Sequence, residues 1–166
     1  VISACEKGAE WQKALSLLDA MGWAILEVDS INYSAAISAC EKGGQWLKAL
    51  GLLVAMCQAV VKPATISFDA AISACEKGAE WQQALALLAT MGWDVLEPHT
   101  ISYNAAISAC ARGAEWQKAL ALLANMNPAG LEINTISFGA AISACNAEGQ
   151  KRVNSQPGRR LHRIER

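Results

Sequence analysis

The chain has 166 residues, 53% of them hydrophobic and 17% charged, which is enough apolar material to bury a core and too much for disorder over most of the length. Its net charge of −1 hides an asymmetry: residues 1–149 carry 8 Lys/Arg against 14 Asp/Glu, and residues 150–166 carry 6 against 1. The long acidic part therefore has no general attraction for a polyanion, and no apolar run reaches the roughly 18 uninterrupted residues that a membrane-spanning helix needs, so no membrane partner is expected.

One pattern dominates from the first residues onward. Ile-Ser-Ala-Cys recurs at Ile2, Ile37, Ile72, Ile107 and Ile142, each 35 residues after the last. Trp11, Trp46, Trp81 and Trp116 keep that period, as do Met21, Met56, Met91 and Met126. The chain divides accordingly into a partial repeat at 1–29, repeats at 30–64, 65–99 and 100–134, a truncated repeat at 135–148 and a basic tail at 149–166. The motif is already under way at Val1, so any initiator methionine or targeting segment is expected to lie before it, and localisation cannot be read from the residues.

Each unit reads as two helices. In the unit 30–64, Asn32 is a candidate cap, and Tyr33, Ala36, Ile37 and Cys40 then recur at the three- and four-residue steps of one helical face. Ser67, Ser102 and Ser137 hold the same place in later units. Gly43 and Gly44 are expected to end the helix with positive φ, and Trp46, Ala49, Leu50, Leu53 and Met56 form the stripe of a second helix. Two helices of about a dozen residues are each about 15 to 18 Å long. Neither buries its stripe alone, so the units must stack; an all-α, right-handed solenoid of helix-turn-helix repeats is the expected fold. Ala35, Ala36 and Ala39 allow close approach of neighbours, and Trp46 fills the gap beside the turn.

In the fifth unit the pattern fails. Lys151 stands where tryptophan is due, Asn154 and Ser155 replace alanine and leucine, and Pro157-Gly158 follows. The expectation is a loose basic segment with a short helical piece around Leu161–Arg166.

The 35-residue period, Thr-Ile-Ser-Tyr-Asn at Thr100–Asn104, Ala-Leu-x-Leu-Leu-x-x-Met at Ala84–Met91 and Leu-Glu-Pro at Leu96–Pro98 together resemble the pentatricopeptide repeat family over residues 1 to about 147. Tetratricopeptide repeats fit less well, because their period is about 34 and their Trp-x-x-Leu-Gly-x-x-Tyr start is absent. The resemblance implies a non-catalytic array that binds single-stranded RNA, one base per repeat, in organellar RNA processing, editing or stability in a mitochondrion or chloroplast. It also implies roles by position. Ile31, Ile66, Ile101 and Ile136 would sandwich the bases, and the pairs Ser34 with Ala64, Asp69 with His99 and Asn104 with Asn134 would read them.

The pairs differ chemically. Asn104 and Asn134 each offer a donor and an acceptor, and the family pattern implies a pyrimidine there. Ala64 offers no side-chain hydrogen bond, and Asp69 with His99 departs from the usual pairs. With stacking worth about 1 to 3 kcal/mol per base, three complete units supply roughly 3 to 9 kcal/mol before ordering costs, which is micromolar to millimolar binding.

Other chemistry is not foreseen. Cysteines one repeat apart sit on stacked helices about 8 to 10 Å from one another, beyond the roughly 7 Å that a disulfide allows; they read as buried thiols, with Cys57 partly exposed. No Cys-x-x-Cys pair occurs and His99 and His162 lack zinc-ligand spacing, so no metal and no cofactor are expected. Glu6, Glu41 and Glu76 recur only because the repeat does, and no catalytic constellation accompanies them. The competing reading is a protein-interaction scaffold that takes a basic partner on an acidic concave surface.

Overall fold

The computed structural model describes residues 10–23, 28–93 and 96–154. Cys5, Glu6, the opening helix of the first unit and the end of the tail, including His162 and Leu161–Arg166, lie outside the described residues. Eight helices are seen among the described residues, with no strand. They are α1 (Trp11–Trp23), α2 (Ser30–Lys42), α3 (Trp46–Gln58), α4 (Thr65–Lys77), α5 (Trp81–Trp93), α6 (Thr100–Gly113), α7 (Trp116–Met126) and α8 (Thr135–Asn154). The architecture is an all-α repeat solenoid.

Two rows of helices run side by side. The first helices of successive units, α2, α4, α6 and α8, pack directly on one another. The second helices, α1, α3, α5 and α7, do not; α1 lies against α2, and each of the other three lies between the inner helices of two units, as α3 does between α2 and α4. A stack that is more tightly spaced along one row bends toward that row, so α2, α4, α6 and α8 line the concave side. Small residues permit this spacing: Ala36, Ala39, Ala71, Ala74, Ala106 and Ala109 are almost wholly inaccessible. Ile37, Ile72 and Ile107 and the thiols of Cys40, Cys75 and Cys110 fill the centre, closed from the outer row by Met56, Met91 and Met126. Burying each isoleucine or methionine contributes about 1.5 to 3 kcal/mol, and the same residues do so in every unit.

The turn between the two helices of a unit is repeated as closely. Beyond each buried cysteine the backbone N–H of Gln45, Glu80 or Glu115 donates to the carbonyl of Cys40, Cys75 or Cys110 at 2.8, 2.9 and 2.9 Å, the long hydrogen bond of a Schellman ending. Left-handed backbone falls at Gly44, Ala79 and Ala114, with φ of 68°, 58° and 57°. Gly43, expected at positive φ, instead has φ of −79°. Its small size is explained by a neighbour: a Cβ there would collide with the indole of Trp11, and Gly78 and Gly113 stand in the same relation to Trp46 and Trp81. Each tryptophan thus leans across a repeat boundary onto the next turn and is only half-buried.

The helix starts lie one turn earlier than Asn32 suggests. Asp29, in extended conformation, caps α2 by accepting from Asn32 N at 2.8 Å. Ser67, Ser102 and Ser137 are therefore third residues of their helices and not caps. The last helix also departs from expectation. It runs to Asn154, so the first residues of the basic tail continue a helix. Among the described residues no second helix covers its outer face, and Phe138, Ile142 and Cys145 are exposed where their equivalents Phe68, Ile72 and Cys75 are buried. Cys145 is accordingly the exception to the buried thiols, and Cys57 is exposed.

Candidate nucleic-acid interface

The concave row presents one short stretch of each unit, the first turn of its inner helix. The second residue is isoleucine, and Ile31, Ile66, Ile101 and Ile136 are 69%, 61%, 63% and 64% exposed. Large aliphatic side chains left in water at one position of four successive helices are not explained by the core, since burying any of them would be favourable. The fifth residue lies on the same helical face, one turn further on: Ser34, Asp69 and Asn104. Between Ile31 and Ile66 a cleft of about 260 Å³ opens, floored by Ser34, Ala35 and Ser38 and flanked by Ala64.

The last residue of each unit, the other half of each predicted pair, is the residue immediately before the next inner helix. Asp29, Ala64 and His99 are extended there. Asn134 accepts from the N–H groups of Ile136 and Ser137 at 3.0 and 3.1 Å. This placement brings two of the pairs together. Asn104 Nδ2 is 3.5 Å from Asn134 Oδ1, and His99 Nδ1 is 3.4 Å from Asp69 Oδ2. Ser34 and Ala64 border the same cleft but have no hydrogen bond between them, as alanine requires.

A third participant is absent from the sequence-based set. Ser67, Ser102 and Ser137 are wholly buried, and each touches the fifth residue of the preceding unit. Ser67 Oγ lies 2.7 Å from Ser34 Oγ, Ser102 Oγ donates to Asp69 Oδ1 at 2.5 Å, and Ser137 Oγ donates to Asn104 Oδ1 at 2.6 Å. The recurrence of serine was visible in the sequence, but its partner lies 33 residues away in the neighbouring repeat.

At the opposite ends of the inner helices runs a ladder of ion pairs. Lys77 Nζ is 2.6 Å from Glu41 Oε1, and Arg112 Nη2 is 3.6 Å from Glu76 Oε1. Burial pushes the Glu76 carboxyl up, against the pull of Arg112 and Lys77. These charges join unit to unit and are remote from the isoleucine row. Among the described residues no group of His, Cys, Asp and Glu is arranged to hold a metal ion, and no helix is long and apolar enough to cross a membrane.

Fold and site together define a helical-repeat array that displays one side-chain pair per unit along its concave row. The family model described as PPR repeat matches residues 31–59 and 101–127, so these two segments are similar to pentatricopeptide repeats. Solved structures with the same fold include the PPR domain of Arabidopsis thaliana protein-only RNase P 1 in complex with tRNA, at TM-score 0.78 and 16% identity over 92% of this chain and 81% of that one. Nuclear proteinaceous RNase P 2 from A. thaliana is similar at TM-score 0.77 and 15% identity, over 92% of this chain and 35% of that one. The maize protein PPR10, in complex with an 18-nt psaJ RNA element, is similar at TM-score 0.73 and 20% identity, over 95% of this chain. This chain spans a quarter of the PPR10 chain. No curated protein sequence matches it.

Proposed function

We propose that the array binds single-stranded RNA along its concave row, one base held between the isoleucines of successive units and addressed by the polar pair beside it. The observation that carries this reading is the row Ile31, Ile66, Ile101 and Ile136, exposed at a constant spacing and flanked by polar side chains, of which Asp69 with His99 and Asn104 with Asn134 are paired. Similar arrays seen with RNA bound, PPR10 and the PPR domain of protein-only RNase P 1, support it. The role we infer is non-catalytic, in processing, editing or stability of RNA within a mitochondrion or chloroplast.

Short pyrimidine-rich RNA titrated against the chain tests the proposal. Asn104→Ala with Asn134→Ala is expected to weaken binding by about tenfold or more, since each removes a neutral hydrogen bond of about 1 kcal/mol. Affinity indifferent to both changes refutes the pair assignment. The acidic balance of residues 1–149 favours one alternative, a basic protein partner on the same surface. Crosslinking that recovers a basic protein and no RNA would establish that alternative instead.

A further inference from the structure

The repeat supplies its own reference for what the convex surface needs, because successive units build the same outer helix from nearly the same residues. After the leading tryptophan, α1, α5 and α7 carry Gln12, Gln82 and Gln117; α3 carries Leu47, 66% exposed. Two turns on, Asp19, Ala89 and Ala124 correspond to Val54, 56% exposed. Gly22, Gly92 and Asn127 correspond to Cys57, an exposed thiol. Leu47 and Val54 are seven residues apart and so share one face of the helix. Gly51 lies between them with open space where a Cβ would stand. The other units stack without these side chains, so the fold does not require them, and water is an unfavourable place for them.

Beside this ridge lies a trough. The outer helices do not touch one another, and between α3 and α5 a groove of about 420 Å³ is lined by Leu53, Val54, Cys57, Phe68, Leu87 and Thr90. The two helices carry a single charged side chain between them, Lys48. An uncharged ridge next to an uncharged groove is complementary to itself: a twofold axis running along the helices seats α3 of each copy in the groove of the other. The same rotation brings the end of α3 toward the end of the second copy's α5, and start toward start. The charges there are opposite in sign. Lys62 stands where other units have Glu27, Glu97 and Glu132, and it approaches Glu97 of the second copy, both being exposed. At the other end Lys48, in the first turn of α3, approaches Glu80, which precedes α5.

We propose that this convex face is a homodimer interface, in which two copies of the chain pair through α3 and α5 and leave both concave rows open. Equivalent residues stand at one height along such an axis, so Cys57, on the groove side of α3, faces its own counterpart. A face two helices wide and about 20 Å long is at the lower end of what specific partners bury, which makes the complex a reversible one. The proposal does not depend on the RNA-binding reading.

Sedimentation velocity of the whole chain under reducing conditions, across the micromolar range, is expected to show monomer passing to dimer. Leu47→Gln with Val54→Ala introduces residues that α5 already carries at these places, Gln82 and Ala89. It should raise the dissociation constant by about tenfold per residue, with helicity by circular dichroism unaltered. Lys62→Glu should weaken the dimer, and adding Glu97→Lys should restore it. A short bismaleimide should join Cys57 to Cys57, located by peptide mass spectrometry, and Cys57→Ser should abolish that product while the noncovalent dimer remains. A chain that stays monomeric throughout overturns the proposal and leaves the face to a different partner. A dimer indifferent to Leu47→Gln with Val54→Ala, or one in which Cys57 is not joined to itself, also overturns it, since the copies then meet elsewhere. Should the double variant lose helicity, the charge exchange and the cross-link decide.

Discussion

Cys40, Cys75 and Cys110 have no access to solvent, and burial pushes each thiol up to about 11. A thiolate in that position would lose its hydration without gaining a partner, so the folded protein retains the protons. An acid whose folded pKa lies above its unfolded value of about 9 stabilises the fold fully below that pH, and the contribution is lost as pH rises toward 11. Urea midpoints should therefore fall between pH 9 and 11, and Cys75→Ala should reduce that slope. At pH 8, iodoacetamide followed by peptide mass spectrometry should show Cys57 and Cys145 alkylated and the three central thiols protected. Labelling of Cys40, Cys75 and Cys110 equal to that of Cys57 and Cys145 would contradict the packing.

At the scale of the helix and its turn, the array tolerates local strain where stacking outweighs it. Val60 ends α3 with φ of 60° and is 89% exposed, while the equivalent residue after α7 is Gly130 at φ of 70°. A β-branched residue in left-handed backbone is strained by about 1 to 2 kcal/mol, and glycine there removes the strain at some cost in unfolded-chain entropy. Val60→Gly is expected to stabilise the protein by about 0.5 to 1 kcal/mol on balance, read as a raised urea midpoint. The hairpin itself was legible in the sequence, because a constant period and the stripe of Ala49, Leu53 and Met56 admit no other regular structure. Its boundaries were less so. Asn32 and Asp29 are both good capping residues three positions apart, and only the extended backbone at Asp29 decides between them. Gly43 looked like a conformational requirement and is a steric one, set by an indole from the previous unit. Contacts of this kind, like that of Ser137 with Asn104, join residues more than thirty positions apart and leave no local signature.

Taken as a whole, the molecule combines an acidic body with an apolar, hydrogen-bonding inner row, which bears on how it would hold a charged polymer. Binding through stacking and base edges, with few phosphate contacts, should depend weakly on salt. The plot of log affinity against log salt for RNA is predicted to be shallower than about −1.5, the slope for two phosphate contacts to a single strand. A steep slope would mean that the basic residues after Gln150 carry the interaction. The two rows themselves have a mechanical consequence. The concave helices touch their neighbours, whereas the convex ones are joined only through them, so the array is a spine with separate leaves. It can wind or unwind by opening and closing the spaces between leaves while every hydrogen bond along the spine stays intact. Such a spring can match its pitch to the rise of a bound strand with little distortion of any single unit.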